Sequence, residues 1–246
     1  MPIKNEALPN RDVVLIKIDG SRFLAVACDS AGAIGEKEGD VVKVPPYVSG
    51  RFTCRVALME ILAVGATPLA FTAAISCEPS PTGEEILKGI RDELSSCGFD
   101  GIPFAVSTEK NIPTSQTGLG VTVIGIVEEN ELRMGKTRPG DALYCLGSPK
   151  VGNEVYLGNP EIADALSVKR LSTIHEVHDI IPVGSRGIKG EAEHLASVSG
   201  LTVRWDDALP VNIEKTAGPS TCVIFTASNG LELKDFSPVF RLGTLE

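Results

Sequence analysis

The sequence lacks an apolar run long enough to cross a membrane, since no run approaches the ~20 residues that a spanning helix needs. Its start, Met1 to Glu6, has acidic and polar residues where a secretory signal would need an apolar stretch. We therefore expect a cytoplasmic protein without a membrane partner.

Paired cysteines are also missing. The chain has six cysteines and no C-x-x-C pair, and most of them lie in apolar segments, as Cys28 does. A chain of 246 residues with 43% hydrophobic content can bury one large core or two small ones without disulfides. We expect buried free thiols and one or two ordered domains.

Positive charge is scarce, because 23 lysines and arginines face 32 acidic residues, which gives a net charge of −9. Nucleic-acid partners are normally met by a basic face, so we expect none here. A nucleotide is still compatible with this charge. Carboxylates can capture divalent cations, and these cations then carry the positive charge that a triphosphate requires.

Several motifs of nucleotide and catalytic sites are absent, namely the G-x-x-x-x-G-K-[ST] phosphate loop, G-x-S-x-G and H-E-x-x-H. Gly118 and Gly120 lack the third glycine of a dinucleotide loop. His175 and His178 lie three residues apart on a predicted strand, so their rings would point to opposite faces. We interpret them as strand-edge histidines and not as a metal pair.

The first half alternates strand and helix patterns. Residues 12–18 and 23–28 predict a hairpin, and residues 46–64 have the apolar spacing of an amphipathic helix that ends at Gly65. Further along, the patterns predict strands at 69–76, 102–106 and 119–127 and a helix at 83–95.

The second half begins after a change of composition at residues 128–138, which we interpret as a linker. Strands are predicted at 142–146, 177–181 and 222–227, and a helix at 187–198. The sequence thus predicts an α/β (α+β) protein of two domains, residues 1–135 and a smaller α/β domain at 136–246.

Three acidic residues differ from ordinary solvated charges. Asp29 directly follows a strand, Glu60 is the only charge in twelve helical residues, and Glu109 follows another strand. Each has a structural alternative: a turn cap for Asp29, an exposed helix edge for Glu60, and an ion pair with Lys110 for Glu109. Together they predict one Mg²⁺ cluster, because α/β folds bring strand ends to a common edge.

The same segments resemble the aminoimidazole ribonucleotide (AIR) synthetase superfamily, which includes thiamine monophosphate kinase. The family's acid, apolar run and Gly-Ala-x-Pro match Glu60 to Pro68, and its Gly-Gly-acid-Thr turn falls at 107–110 with Ser107 and Thr108 in place of the glycines. Its domain junction is similar to residues 138–143, and its second-domain loop falls at 179–187, without the second acid.

Within that superfamily, the sequence at residues 29–35, 42–45, 107–111 and 181–185 most resembles the α-ribazole kinases. The resemblance implies a two-domain AIR synthetase-like fold, with a mixed sheet and dimerising strands in the N-terminal domain. It implies a homodimer that transfers phosphate from ATP to the 5′-hydroxyl of α-ribazole. Another small-molecule kinase, such as one for thiamine monophosphate, and a nucleotide-binding accessory protein stay open as alternatives.

The resemblance also implies roles for particular residues. Asp29, Glu60 and Glu109 would hold Mg²⁺ on the triphosphate, since phosphoryl transfer asks chiefly for positioning and charge neutralisation. Apart from the resemblance, Asp40 is a candidate base because it is close in sequence to the proposed site. Lys43 and Arg55 are candidate phosphate contacts or solvated charges. The remaining candidates for nucleotide binding are Ser30, Gly32, Ser107, Thr108, Asn111, Gly184 and Ser185. Of these, Gly184 and Ser185 open a helix, which Ser185 would otherwise simply cap.

Overall fold

The computed structural model describes residues 12–246. These residues divide into two compact units, one of residues 12–62 and 66–131 and the other of residues 63–65 and 132–246. The predicted domain limits remain a prediction, and the predicted lack of a signal segment at Met1 to Glu6 lies outside the described residues. Within the described part, no helix is both long and apolar enough to span a bilayer.

The first unit is built on a mixed five-stranded sheet of order β1-β2-β7-β5-β6. Its strands are β1 (Val13–Lys17), β2 (Arg22–Gly32), β5 (Thr67–Ile75), β6 (Phe104–Thr108) and β7 (Gly118–Glu128), with a small parallel pair of β3 (Ile34–Gly35) and β4 (Val42–Lys43), and its helices are α1 (Pro46–Ala63) and α2 (Glu84–Ser96). Only β5 and β6 pair in parallel in the main sheet. The predicted hairpin is confirmed, because β1 and β2 pair antiparallel across a turn whose backbone N–H groups bind Asp19.

Helices α1 and α2 cross closely because two glycines leave room for backbone. A Cβ atom on Gly50 would lie 2.2 Å from the Ile86 carbonyl oxygen, and one on Gly89 would lie 2.1 Å from that of Tyr47. Ile61 of α1 packs against Gly125 of β7 in the same way, so α1 lies on one face of the sheet. The first unit therefore forms its core between this sheet face and the two helices.

The two faces of the sheet differ in burial. Side chains on the helix side are almost fully buried, such as Ala27 and its cross-strand neighbour Val123. The opposite face is also apolar but is only half-buried at Val26 and Ile124, and Val14 is 46% exposed. An antiparallel sheet with a solvated face usually carries polar residues there, so this apolar face is unusual.

The second unit has an antiparallel sheet of order β10-β12-β8-β11-β9. Its elements are β8 (Ala142–Gly147), α3 (Ala165–Leu171), β9 (Val177–Pro182), α4 (Gly187–Val198), β10 (Val203–Trp205), β11 (Cys222–Ala227) and β12 (Val239–Leu245). Strands β8, β9 and β11 are buried throughout, and α4 packs on the core through Ile188 and Leu195. The two sheets with their helices confirm the predicted mixed α/β fold class.

Two sequence interpretations need correction here. Residues 133–138 of the predicted linker are bound into the second unit, because the N–H groups of Lys136 and Thr137 donate to Asp179 Oδ2 at 2.9 and 2.8 Å. Of the two histidines, only His178 lies in a strand, and it is buried with Nδ1 2.6 Å from Asp141 Oδ2.

Candidate functional site

The strand directions of the first unit bring distant segments to one edge of its sheet. Strands β2, β5 and β6 all run in the same direction, and β7 runs against them. The carboxyl ends of β2, β5 and β6 therefore meet the amino end of β7 at Gly118. We call this place the carboxyl edge. Of the predicted site residues, it gathers Asp29, Ser30, Gly32, Ser107, Thr108, Glu109 and Asn111.

The three predicted metal ligands do not form one cluster. Among residues 12–246, no three histidine, cysteine, aspartate or glutamate side chains lie close enough to hold a metal ion together. Asp29 of β2 pairs with Val121 of β7, Val121 pairs with Ala73 of β5, and Ala73 pairs with Val106 of β6. Three strand spacings of ~4.8 Å therefore separate the strand of Asp29 from the strand that precedes Glu109. Glu109 also lies three residues, or ~10 Å, further along its strand direction. The expectation of a single-ion cluster is therefore wrong for these residues.

Asp29 lies within β2 and not after it, because β2 extends to Gly32. It is on the helix side of the sheet with Val121 and Ala73, and it is half-buried. Burial raises its pKa to about 6, the Ser30 N–H lowers it, and the negative charge of Asp12 raises it. The net effect is that the ionised form of the Asp29 carboxyl group is disfavoured in the fold, and a bound cation would stabilise that form.

Glu60 lies deep in α1 with 5% of its surface exposed, so the alternative of an exposed helix edge is wrong. Its neighbour Ile61 packs over Gly125, which pairs with Ala25 of β2, four residues before Asp29. The helical turn that contains Glu60 therefore lies level with Ala25 of β2, which is about 13 Å along the strand from Asp29. The structure does not bring Glu60 to the carboxyl edge.

Glu109 begins the loop after β6 and binds that loop. Its Oε1 accepts the N–H of Asn111 at 2.7 Å and that of Ile112 at 3.1 Å. These backbone hydrogen bonds lower the pKa of Glu109, so the carboxylate is ionised at neutral pH. The loop geometry, and not an ion pair with Lys110, accounts for its position.

Asp40 follows the β3 strand and is 6% exposed. Its Oδ1 accepts the Thr117 N–H at 2.7 Å, and its Oδ2 accepts the Thr117 hydroxyl at 2.7 Å and the Lys37 N–H at 2.8 Å. Burial alone would raise its pKa, but these bonds and the nearby Lys43 charge hold the pKa below its usual value. Lys43 Nζ in turn donates to the carbonyl oxygens of Lys37 and Glu38.

Two further predicted contacts are engaged elsewhere. Arg55 is 7% exposed, and its Nε donates to Glu93 Oε1 of α2 at 2.7 Å, so it is neither a solvated charge nor directed to the carboxyl edge. Gly184 and Ser185 lie in the second unit before α4. There the Lys189 N–H donates to the Ile213 carbonyl at 2.9 Å, and no side chain caps the helix. Backbone of the same unit thus already occupies this helix start.

Sequence reasoning missed the polar residues that surround Asp40. Lys37 Nζ lies 2.6 Å from Glu78 Oε2, and this pair lines a cavity of about 260 Å³ with Glu36, Thr82 and Glu85. The Lys37 charge and the Thr82 hydroxyl hold the pKa of Glu78 at about 2, although burial acts against them. A signal existed for Thr117, because it lies two residues before the strand predicted at 119–127, and this strand has to meet the end of β2.

A comparison with protein families finds one match, which lies in the first unit. Residues 10–127 match the family model of the AIR synthase related protein, N-terminal domain, which is just under half of the chain. This part of the chain is therefore similar to the AIR synthase related N-terminal domain, in line with the resemblance. No curated protein sequence matches the chain.

Solved structures share the fold over nearly the whole chain. Thiamine-monophosphate kinase from Stenotrophomonas maltophilia K279a matches with a TM-score of 0.66 and 17% identity, over 96% of this chain and 89% of that chain. Thiamine monophosphate kinase from Aquifex aeolicus matches with a TM-score of 0.66 and 15% identity, over 97% and 89%. T. maritima PurL complexed with ATP matches with a TM-score of 0.60 and 19% identity, over 97% of this chain and 38% of that chain.

Proposed function

We propose that this chain is an ATP-dependent small-molecule kinase that phosphorylates the 5′-hydroxyl of α-ribazole. One observation carries the proposal. The segments similar to α-ribazole kinases at Asp29 and Glu109 lie far apart in the chain, and both lie at the carboxyl edge of one sheet. Lys43 lies in the small β3–β4 pair that follows β2. Two similar folds are thiamine monophosphate kinases and a third is complexed with ATP, which supports ATP as the phosphate donor.

The carboxylates at this edge fit Mg²⁺ that is bound together with a nucleotide. Magnesium usually takes one or two protein carboxylates, and substrate phosphates and water complete its octahedron. Asp29 and Glu109 each offer one such carboxylate, so a closed three-acid cluster is not required. When bound, Mg²⁺ would neutralise charge on the phosphate oxygens.

The chain's own residues would orient the triphosphate. Lys43 has three N–H donors, and two of them bind carbonyl oxygens of its loop, so the third can bind a phosphate oxygen. The hydroxyl group of Thr108 is a further donor on the face of the sheet that carries Asp29, whereas Ser30 and Ser107 lie on the opposite face. Arg55, Gly184 and Ser185 are left out of this proposed site because other protein groups hold them or the helix that they open.

The acceptor is tested by measuring ATP consumption with Mg²⁺ and either α-ribazole, thiamine monophosphate or no acceptor. We expect turnover with α-ribazole at least about tenfold above the other two, because a hydroxyl acceptor that fits the site is positioned for in-line attack. Preference for thiamine monophosphate would support the second candidate, which the similar folds favour. If ATP binds and neither acceptor is phosphorylated, the accessory-protein hypothesis is supported instead.

We further propose that the chain forms a homodimer through the apolar face of the first-unit sheet. Val14, Val26 and Ile124 occupy neighbouring strands on this face, which the helices leave uncovered. Contiguous exposed apolar surface on a protein typically marks an interaction site. A second copy would present the same face, as the isologous contact of a two-fold dimer requires.

Replacing Ile124 with Lys should convert this dimer to a monomer, because a charge at the centre of an apolar interface would be buried without a partner. Light scattering coupled to gel filtration measures the mass directly. Val198→Lys is the matched control, since Val198 is 46% exposed on α4 of the second unit. A wild-type monomer at micromolar concentration, or a dimeric Ile124→Lys variant, would contradict the proposal.

A further inference from the structure

The segment of residues 36–43, which we call the Asp40 loop, is fixed by one buried carboxylate. Asp40 accepts hydrogen bonds from the backbone and hydroxyl of Thr117 at the start of β7 and from the Lys37 N–H of its own loop. The two bonds from Thr117 join segments that are 77 positions apart in the chain. Asp40 is therefore the main polar link between the loop and the carboxyl edge.

Other contacts hold the same loop in the same place. The Gly39 N–H donates to the Ser115 carbonyl at 2.8 Å, and Gln116 Nε2 donates to the Gly39 carbonyl at 2.7 Å. The packing at Gly35 is tight, since a Cβ atom there would lie 2.6 Å from Asp40 Oδ2. Ala33 takes a left-handed φ of 59°, a conformation that non-glycine residues hold only when their surroundings impose it.

The fixed loop determines where Lys37 lies. Its backbone N–H is bound to Asp40, and its ammonium group lies 2.6 Å from Glu78 Oε2 at the cavity of about 260 Å³. The Lys37 side chain is only 17% exposed, so little freedom remains for it to move. The Asp40 carboxylate thus fixes the position of the Lys37 ammonium group, although Lys37 lies three residues before it in the chain.

We infer that Asp40 is a positioning residue, which holds Lys37 and Lys43 where they contact the phosphates of a nucleotide. This inference rests on the proposed function. A catalytic base has to release an oxygen to the substrate hydroxyl, whereas both oxygens of Asp40 are bound by three protein donors. The carboxylate is instead an acceptor that orders two loops before any ligand arrives, so less ordering is needed on binding.

The test replaces Asp40 with Asn, whose N–H₂ donor has to face either the Lys37 N–H or the Thr117 N–H. We expect Mg-ATP affinity to fall about 10- to 100-fold, as for other residues that orient binding groups. Amide hydrogen exchange at Lys37 and Thr117 should accelerate in the same variant. The pH profile of kcat should keep its shape, because no proton acceptor has been removed.

Asp19→Asn is the matched control, since Asp19 also binds backbone N–H groups of a turn but lies at the opposite end of β2. It should leave nucleotide affinity unchanged. Thr117→Val removes only the hydroxyl bond to Asp40, so it should act in the same direction as Asp40→Asn, and the losses of the double variant should not add.

Three results would overturn the inference. They are unchanged exchange at Lys37 and Thr117 in the Asp40→Asn variant, unchanged Mg-ATP affinity in that variant, or a kcat loss of about 10²- to 10⁴-fold with the acid limb of the pH profile removed, as a base would give. Failure of the proposed function is recognised separately, because the wild-type protein would then either bind no Mg-ATP or bind it without phosphorylating an acceptor. The exchange measurement still reports on the Asp40 contacts in that event.

Discussion

Replacing Asp29 with Asn should make the protein more stable and at the same time remove its affinity for Mg-ATP. The folded-state pKa of about 6 lies above the ordinary value of 3.8, because burial disfavours the ionised form. The folded state therefore loses stability as pH rises from about 4 through 6, and the loss stays complete above that range. A difference of about two pKa units corresponds to about 3 kcal/mol at neutral pH.

Asparagine has nearly the same shape and cannot ionise, so it should recover most of this free energy of unfolding at pH 7.5 and none of it at pH 4. Urea unfolding at the two pH values measures both quantities. Mg-ATP affinity should fall at least about 100-fold in the same variant, because a direct metal ligand is lost. Asp100→Asn, at an exposed position of the same unit, should change neither stability nor affinity.

Equal stability of wild type and Asp29→Asn at pH 7.5 would show that the carboxylate is already compensated in the folded protein. Unchanged Mg-ATP affinity would remove Asp29 from the proposed site. The two results are independent of each other, since one concerns the burial of a charge and the other concerns its partner. Gain of stability with loss of affinity is the combination that a functional site predicts.

Local patterns were sufficient to predict the main-sheet strands and the two helices of the first unit, but not the short strands β3 and β4. The apolar spacing of residues 46–64 gave α1 within one residue, and the alternation at 119–127 gave β7. Strand order then accounts for the carboxyl edge, because a parallel pair and two antiparallel pairs fix which strand ends meet. The segments of Asp29 and Glu109 therefore end at one edge of the sheet, although three strand spacings separate their strands.

The sequence could not show which charged residues are paired with one another. Arg55 is buried against Glu93, a residue 38 positions away on α2, and no local pattern reports such a partner. The single-ion cluster failed for a similar reason, since a strand pattern does not give the number of strands between two acids. Asp40 stands in a polar, glycine-containing segment, and it is bound by Thr117, which lies 77 positions away in the chain.

In the second unit the missed elements have weak local signals. Strand β12 contains Gly243, which breaks the apolar alternation, yet a Cβ atom there would lie 2.3 Å from the Arg204 carbonyl oxygen. The glycine is needed because β10 approaches β12 closely at this point, near a register shift of β12 against β8. Strand β10 has three residues and α3 has seven, so both are shorter than the windows over which a periodic pattern is recognised.

The second large effect is expected for Glu93→Ala, which should lower the free energy of unfolding by about 3–5 kcal/mol. Glu93 is 1% exposed and accepts hydrogen bonds from Arg51 and Arg55 between α1 and α2. Its removal leaves the Arg55 guanidinium, which is also buried, without its carboxylate. The close crossing at Gly50 and Gly89 prevents the helices from separating to admit water.

Urea unfolding of Glu93→Ala measures this cost, and Asp92→Ala on the exposed side of the same helix turn is the control. Asp92 accepts one hydrogen bond from the Tyr47 hydroxyl at 2.8 Å, so its loss should cost about 1 kcal/mol or less. Replacing the pair together, as Arg55→Met with Glu93→Leu, should recover much of the stability, because the buried charge disappears with its partner. A Glu93→Ala variant within 1 kcal/mol of wild type would mean that both arginines reach solvent, and the helix crossing would then depend on apolar packing alone.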